Sequence, residues 1–115
     1  IVEIERGRRT ILNYGNLNAT LQLKSGKTAA TFLGGSSPAY KYAVLNAKAN
    51  SCGNPGVTVG NWNTVNTTGN GDTICSNFSS LPTSDTIAIN VQLTIPKDAL
   101  TGNLTDTFTA TATAI

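Results

Sequence analysis

The chain contains no histidine and no methionine, and only 12% of its residues are charged. Histidine is the usual general base, and serine- and cysteine-based catalytic sites usually depend on it, so its absence argues against those enzyme classes. It is also the commonest metal ligand in proteins. We therefore predict no catalytic residues, no bound metal and no cofactor, and we do not expect this protein to be an enzyme.

Two acidic patterns bear on that prediction. Glu3 and Glu5 would lie on one face of a strand, roughly 6.6 Å apart, which is near the spacing of glycosidase carboxylates. No aromatic residue beside them offers a platform for a sugar. The segment GNGDT (residues 69–73) contains one acid, where a calcium site needs several. We interpret the pair as a solvated strand edge and the segment as a turn.

The formal net charge of +2 is too small to predict nucleic-acid binding. The only basic cluster is RGRR (residues 6–9), and no aromatic residues are interleaved with it. It is therefore interpreted as a solvated linker, or as one that is paired across a subunit contact, in preference to a phosphate-binding site. No apolar run reaches the ~18 residues that a membrane helix requires, so no membrane span is predicted.

The composition favours an extracellular protein at a cell surface. Thr, Asn, Ser and Gly are abundant, which gives a neutral surface rich in hydroxyl groups. The chain lacks a methionine at position 1, which is typical of a protein whose signal peptide has been removed, or of one released from an expression tag. We take the first explanation as the expectation.

Cys52 and Cys75 are the only cysteines. An even number, with no histidine to complete a metal site, predicts one disulfide. Two buried thiols are the alternative. Closing a loop of about 24 residues with a disulfide would stabilise the fold by roughly 3 kcal/mol. The Gly- and Asn-rich stretch between the cysteines is predicted to form a long surface loop or an irregular hairpin.

Alternation of apolar and polar residues recurs along the chain, and helical periodicity is nearly absent. The clearest case is TIAINVQLTI, in which one face would carry Ile87, Ile89, Val91, Leu93 and Ile95. Proline cannot donate to a sheet, so Pro96 ends that strand. Similar patterns predict strands at IVEIER, LNATLQLKSG, AYKYAVLNAKA, GVTVGNW and NLTDTFTATATAI, whereas TAATFL is ambiguous. Seven or eight short strands separated by turns predict an all-β fold, an antiparallel β-sandwich.

The two ends of the chain suggest how copies could join. The last segment alternates Thr with Phe108 and three alanines, and it carries no charge after Asp106. Sheet edges are normally protected by charges, proline or bulges, so this strand is expected to lie beside a partner strand from its own chain or from another. At the other end, Val2 and Ile4 form a short apolar strand, and Gly7 provides a pivot before the body.

Three segments carry a resemblance to a known group of proteins: ILNYGNL (residues 11–17), VQLTIP (residues 91–96) and TGNLTDTFTATATA (residues 101–114). The arrangement resembles the archaic chaperone–usher pilins and the thread-type filament proteins of archaea. The resemblance implies an incomplete immunoglobulin-like sandwich that is completed by the N-terminal donor strand of the next subunit. The early cysteine of those pilins is missing here, and alanines replace the valines of their last strand.

From these observations we predict an N-terminal extension at residues 1–9, with Val2 and Ile4 as the donor strand, and one sandwich domain at residues 10–115. The expected function is that of a structural subunit of a surface filament, a pilus or thread, whose partners are copies of itself. Two alternatives remain. One is a secreted carbohydrate-binding or adhesin-type module that contacts glycans or a host surface through Trp62, Tyr40 and Tyr42. The other is a virion coat or decoration protein.

Four asparagines stand in the acceptor pattern of N-glycosylation: Asn18, Asn66, Asn77 and Asn103. With 13 Asn and 26 Ser plus Thr among 115 residues, about three such triplets arise by chance. The pattern therefore matters only in an exported protein of a host that glycosylates.

Overall fold

The computed structural model describes the backbone of residues 2–115 and the side chains of residues 9–115. Within that part, the chain forms seven strands and one short helix. In chain order these are β1 (Val2–Leu12), β2 (Ala19–Ser25), α1 (Ala29–Phe32), β3 (Ala39–Asn46), β4 (Asn63–Thr64), β5 (Asp72–Phe78), β6 (Thr86–Ile95) and β7 (Phe108–Ala114).

The strands form two antiparallel sheets. The four-stranded sheet has the order β1-β6-β3-β4, and the three-stranded sheet has the order β5-β2-β7. This confirms the predicted antiparallel β-sandwich. The first and last strands each lie at an edge, β1 beside β6 and β7 beside β2. Residues of both strands line one cavity, so these two edges border the same side of the sandwich.

The core lies between the sheets, where the alternating apolar faces meet. Tyr42 and Val44 of β3 are opposite Val91 and Ile89 of β6. The buried apolar cluster contains Leu21, Leu23, Phe32, Leu33, Tyr40, Tyr42, Val44, Cys52, Val65, Ile74, Cys75, Phe78, Ile87 and Ile89. Ile87 is fully buried, so truncating it to alanine would remove about 2–5 kcal/mol of stability.

One predicted strand was wrong, one ambiguous segment is a helix, and one strand was not predicted. GVTVGNW is not a strand, because its backbone turns at Gly60, which has φ +85° and donates its N–H to the carbonyl of Val44. The ambiguous TAATFL contains helix α1. Thr28 caps this helix by accepting the N–H of Thr31, and the alanines that follow favour helix. Strand β5 was not predicted, and its residues 72–74 lie in the stretch assigned to a loop or irregular hairpin.

The predicted disulfide is confirmed between Cys52 and Cys75, whose Cα atoms are 5.7 Å apart. It fixes the segment that begins at Cys52 along the outer edge of β5. Gly53 and Gly56 donate N–H groups to Asn77 and Ile74, and Ser76 donates to Asn54. A Cβ at Gly56 would collide with the carbonyl oxygen of Thr73, so this close approach requires glycine. The disulfide therefore holds a cover over a sheet edge.

Candidate functional site

The N-terminal strand β1 is attached to the fold by a single partner. It pairs with β6 from Val2 opposite Ile95 to Leu12 opposite Thr86, and the register shifts between Arg6 and Arg9. A shift of this kind is a β-bulge, which interrupts the hydrogen-bonded ladder. β1 thus runs through the basic cluster that was interpreted as a linker, and the interruption divides it into residues 2–6 and residues 9–12.

The predicted donor residues lie in the first of these segments. Val2 is opposite Ile95, and Ile4 is opposite Leu93. The side chains of both residues lie outside the part of the chain whose side chains are described. Their backbone positions show that, in this structure, the donor segment pairs with β6 of its own chain.

β6 consists of a first part that is fully buried and a second part that is half-buried. Its first four residues are buried on both faces. Their second face is covered by the loop after β3, where Lys48 donates its N–H to Thr86 and Ser51 Oγ accepts the N–H of Thr86. From Asn90 onward every residue is only half-buried. This second half carries Val91, Leu93 and Ile95, and we call it the apolar strip.

An open cleft runs between the edges formed by β1 and β7. It consists of three cavities in a row, with volumes of about 90, 250 and 300 Å³. The first two share Ile11, and the last two share Arg9, Val91 and Phe108. The middle cavity is lined almost entirely by apolar side chains, including Leu23 and Ala110. The sandwich is therefore incompletely closed along this side.

β7 forms one border of the cleft. Phe108 is half-buried, whereas Ala110, Ala112 and Ala114 are exposed. These residues are the narrow face that the sequence predicts to lie beside a partner strand. Within the described chain, β7 is hydrogen-bonded to β2 and to no other strand, so the alanine face and the outer edge of β7 are both open.

Tyr40 anchors the end of the cleft next to Asp106. Its hydroxyl donates a hydrogen bond of 2.7 Å to Asp106 Oδ2. Its ring contacts Phe32 at 4.9 Å and Phe108 at 5.6 Å, measured between ring centroids. Burial and the neighbouring carboxylate of Asp106 raise the pKa of Tyr40. Tyr40 thereby connects the four-stranded sheet to the segment that leads into β7.

The aspartates all have structural partners. Asp72 accepts the hydroxyl of Tyr42 at 2.6 Å, and burial followed by this bond raises the pKa of that tyrosine. Asp85 pairs with Lys48 at 2.9 Å, and Asp98 accepts two hydrogen bonds from Ser36. The hydrogen bond from Lys48 lowers the pKa of Asp85, and the backbone N–H of Ser36 lowers that of Asp98. Among the described residues, no group of three or more acidic, cysteine or histidine side chains is placed to hold a metal ion.

The stability of the fold is expected to decrease as the pH rises above 10.0, the ordinary pKa of tyrosine. The folded state retains the protons of Tyr40 and Tyr42, whereas the unfolded state releases them. The loss is at most about 1.4 kcal/mol per pH unit for each residue. Urea unfolding followed by Trp62 fluorescence at pH 8 and pH 11 measures it. The double variant Tyr40→Phe/Tyr42→Phe should depend less on pH, and an unchanged dependence would contradict this explanation.

Two of the three aromatic residues suggested as glycan contacts are buried. Tyr40 is 3% and Tyr42 is 1% exposed, so neither ring is available to a ligand. Trp62 is half-buried just before β4. The alternative of a binding module therefore retains only Trp62 of the three residues proposed for it.

The sequon asparagines occupy two kinds of position. Asn77 and Asn103 are exposed. Asn18 donates its side-chain amide to Asn77 Oδ1 at 2.9 Å, and Asn66 donates to Asp72 Oδ1 at 3.0 Å. A glycan on Asn18 or Asn66 would displace these hydrogen bonds, so Asn103 is the position where modification would disturb the structure least.

The end of the sandwich where β1 finishes carries a surface that the sequence analysis missed. A cavity of about 400 Å³ is lined there by Asn13, Tyr14, Leu81 and Asp85, among others. Tyr14 is 84% and Leu81 is 63% exposed. The sequence signal for this surface was that Tyr14 and Leu81 stand in segments otherwise typical of turns.

Within residues 2–115, no helix has the length and apolar character needed to cross a membrane. Comparisons of the chain with protein-family models, with curated proteins and with solved structures gave no match.

Proposed function

We propose that this chain is a structural subunit of an extracellular filament, and that its copies join by exchanging the N-terminal segment of β1. The observation that carries the proposal is the apolar strip of β6. It pairs along one edge with a segment of β1 that has no other partner strand in the described chain and that a bulge separates from the rest of β1. The same pairing can come from the corresponding segment of a neighbouring copy.

The energetics favour an exchange of this kind. A strand that moves to an identical site in a second copy forms the same hydrogen bonds and buries the same apolar surface, so the exchange costs little free energy. The interruption between Arg6 and Arg9 supplies a place where the chain can leave one subunit and enter the next. Gly7, which lies in this interval, is the residue type that best tolerates the required change of backbone direction.

Two further features support the proposal. The cleft between β1 and β7 leaves one side of the sandwich open, as the resemblance to donor-strand pilins implies. The disulfide is compatible with a secreted protein, since disulfides persist mainly in oxidising compartments.

The size distribution of the purified protein tests the proposal. Strand-exchanged multimers separate only when their subunits unfold. We therefore expect a ladder of multimers on SDS gels of unheated samples and a single monomer band after heating in strong denaturant. The variant Leu93→Arg places a charge in the apolar strip opposite Ile4 and should shorten the ladder. Monomer alone in the unheated wild-type sample, at every concentration, would contradict the proposal.

A further inference from the structure

The edges of the two sheets differ in how they are protected. The outer edge of β5 is covered by the segment that starts at Cys52, and β4 is only two residues long. β1 carries charged residues and a bulge. β7 has seven residues, with no charge, no proline and no bulge, and its outer edge has no partner within the described chain. An edge without any of these protections is a template for pairing with another strand.

The hydrogen bonds at the two ends of β7 determine which backbone groups face outward. Ile115 donates its N–H to Asn18, and Thr107 accepts the N–H of Gly26. Both pairs continue the register in which Ala114 is opposite Ala19. Hydrogen-bonded and non-hydrogen-bonded pairs alternate along an antiparallel ladder. The odd-numbered residues of β7 therefore bond to β2, and the outward N–H and C=O groups belong to Phe108, Ala110, Ala112 and Ala114.

We propose that the outer edge of β7 pairs antiparallel with β7 of a second copy, about a two-fold axis at Thr111. In this register all seven residues overlap. Ala110 is then opposite Ala112 of the second copy, and Phe108 is opposite its Ala114, so every outward backbone group has a partner. The two three-stranded sheets join into one continuous sheet. This contact is separate from the exchange of β1, and it does not require that exchange.

The composition of the strand identifies a second copy as the occupant. Antiparallel pairing places Thr opposite Thr on one face, and Ala opposite Ala or Phe opposite Ala on the second face. Such Thr pairs stabilise a sheet, and like charges, which would oppose self-pairing, are absent from residues 107–115. A strand bearing the charges of β1 would bring Glu3, Glu5 or Arg6 to this uncharged edge. The edge therefore matches itself better than it matches the N-terminal strand.

Single cysteine variants of the full chain test the proposed axis. Residues that face each other across an antiparallel pair lie within disulfide range. Thr111 is the only threonine of β7 that lies opposite the same residue of the second copy. Under air oxidation Thr111→Cys should form covalent dimers at least about tenfold faster than Thr109→Cys and Thr113→Cys, whose partners lie roughly 13 Å away along the strand. The two controls are the more exposed positions, so random collision would give the opposite order.

A second measurement uses no added cysteine. Thr111→Lys brings two like charges together at the axis, so the dissociation constant from sedimentation velocity should rise about tenfold or more. Equal cross-linking rates at positions 109, 111 and 113 would overturn the proposal. So would a mixed dimer between Thr111→Cys and Ile4→Cys chains that forms faster than the Thr111→Cys homodimer, because the N-terminal strand would then occupy this edge.

Discussion

Removal of residues 1–6 is expected to abolish assembly by strand exchange and to destabilise the isolated subunit by ~3 kcal/mol. The loss arises because the ladder between residues 2–6 and β6 disappears and each of its hydrogen bonds contributes about 1 kcal/mol net. The apolar strip, which carries Val91, Leu93 and Ile95, would then lie at an unpaired edge of the sheet. We expect the truncated chain to aggregate on warming and to form no ladder of multimers.

A peptide added in trans provides the control for that truncation. A synthetic peptide of residues 1–9 should bind the truncated chain and restore its thermal stability, because it supplies the missing strand. The same peptide with Ile4→Asp should fail, since it would place a carboxylate opposite Leu93 of the apolar strip. If the truncated chain assembled like the full-length protein, the exchange of β1 would not be the mechanism of assembly.

Replacement of both cysteines, in the variant Cys52→Ala/Cys75→Ala, is expected to cost about 3 kcal/mol of folding stability. The disulfide joins positions 23 residues apart, and its loss gives the unfolded chain more freedom. A second effect follows from the structure. The segment that begins at Cys52 would no longer be held against β5, whose outer edge would then be open to pairing between molecules.

Urea unfolding of the monomer measures the first effect, and light scattering near the transition measures the second. Wild-type protein treated with a reductant that opens the buried disulfide is the matched control, and it should show the same loss of stability. A difference below about 1 kcal/mol would show that the remaining contacts already fix the position of this segment.

The alternation of apolar residues was sufficient to predict β6, whose bounds match TIAINVQLTI in full. Alternation did not predict β5, because the pairing of β5 with β2 shifts register on either side of Leu21. As a result, the neighbouring residues Ile74 and Cys75 are both buried. A pattern with a period of two cannot show a strand whose bulges break that period. Similarly, both faces of the first half of β6 are buried, because a loop distant in sequence covers the second face.

The candidate site was predicted in part. The apolar face of β6 and the uncharged last strand could both be identified from the sequence. Their environments could not, since the cleft depends on β1 and β7 lying at the edges of different sheets. The hydrogen-bond partners of Tyr40 and Tyr42 could not be predicted from the sequence either, because each tyrosine donates to an aspartate at least 30 positions away in the chain.

A disulfide between β1 and β6 tests the exchange of the N-terminal strand most directly. Ile4 and Leu93 are directly opposite each other, so the variant Ile4→Cys/Leu93→Cys can form a cross-link only where β1 lies on β6. If β1 is exchanged, oxidation of the concentrated protein will give a covalent ladder on denaturing, non-reducing gels, and the ladder will collapse to monomer on reduction. If every cross-link closes within one chain at all concentrations, each subunit keeps its own β1, and the proposed assembly is wrong.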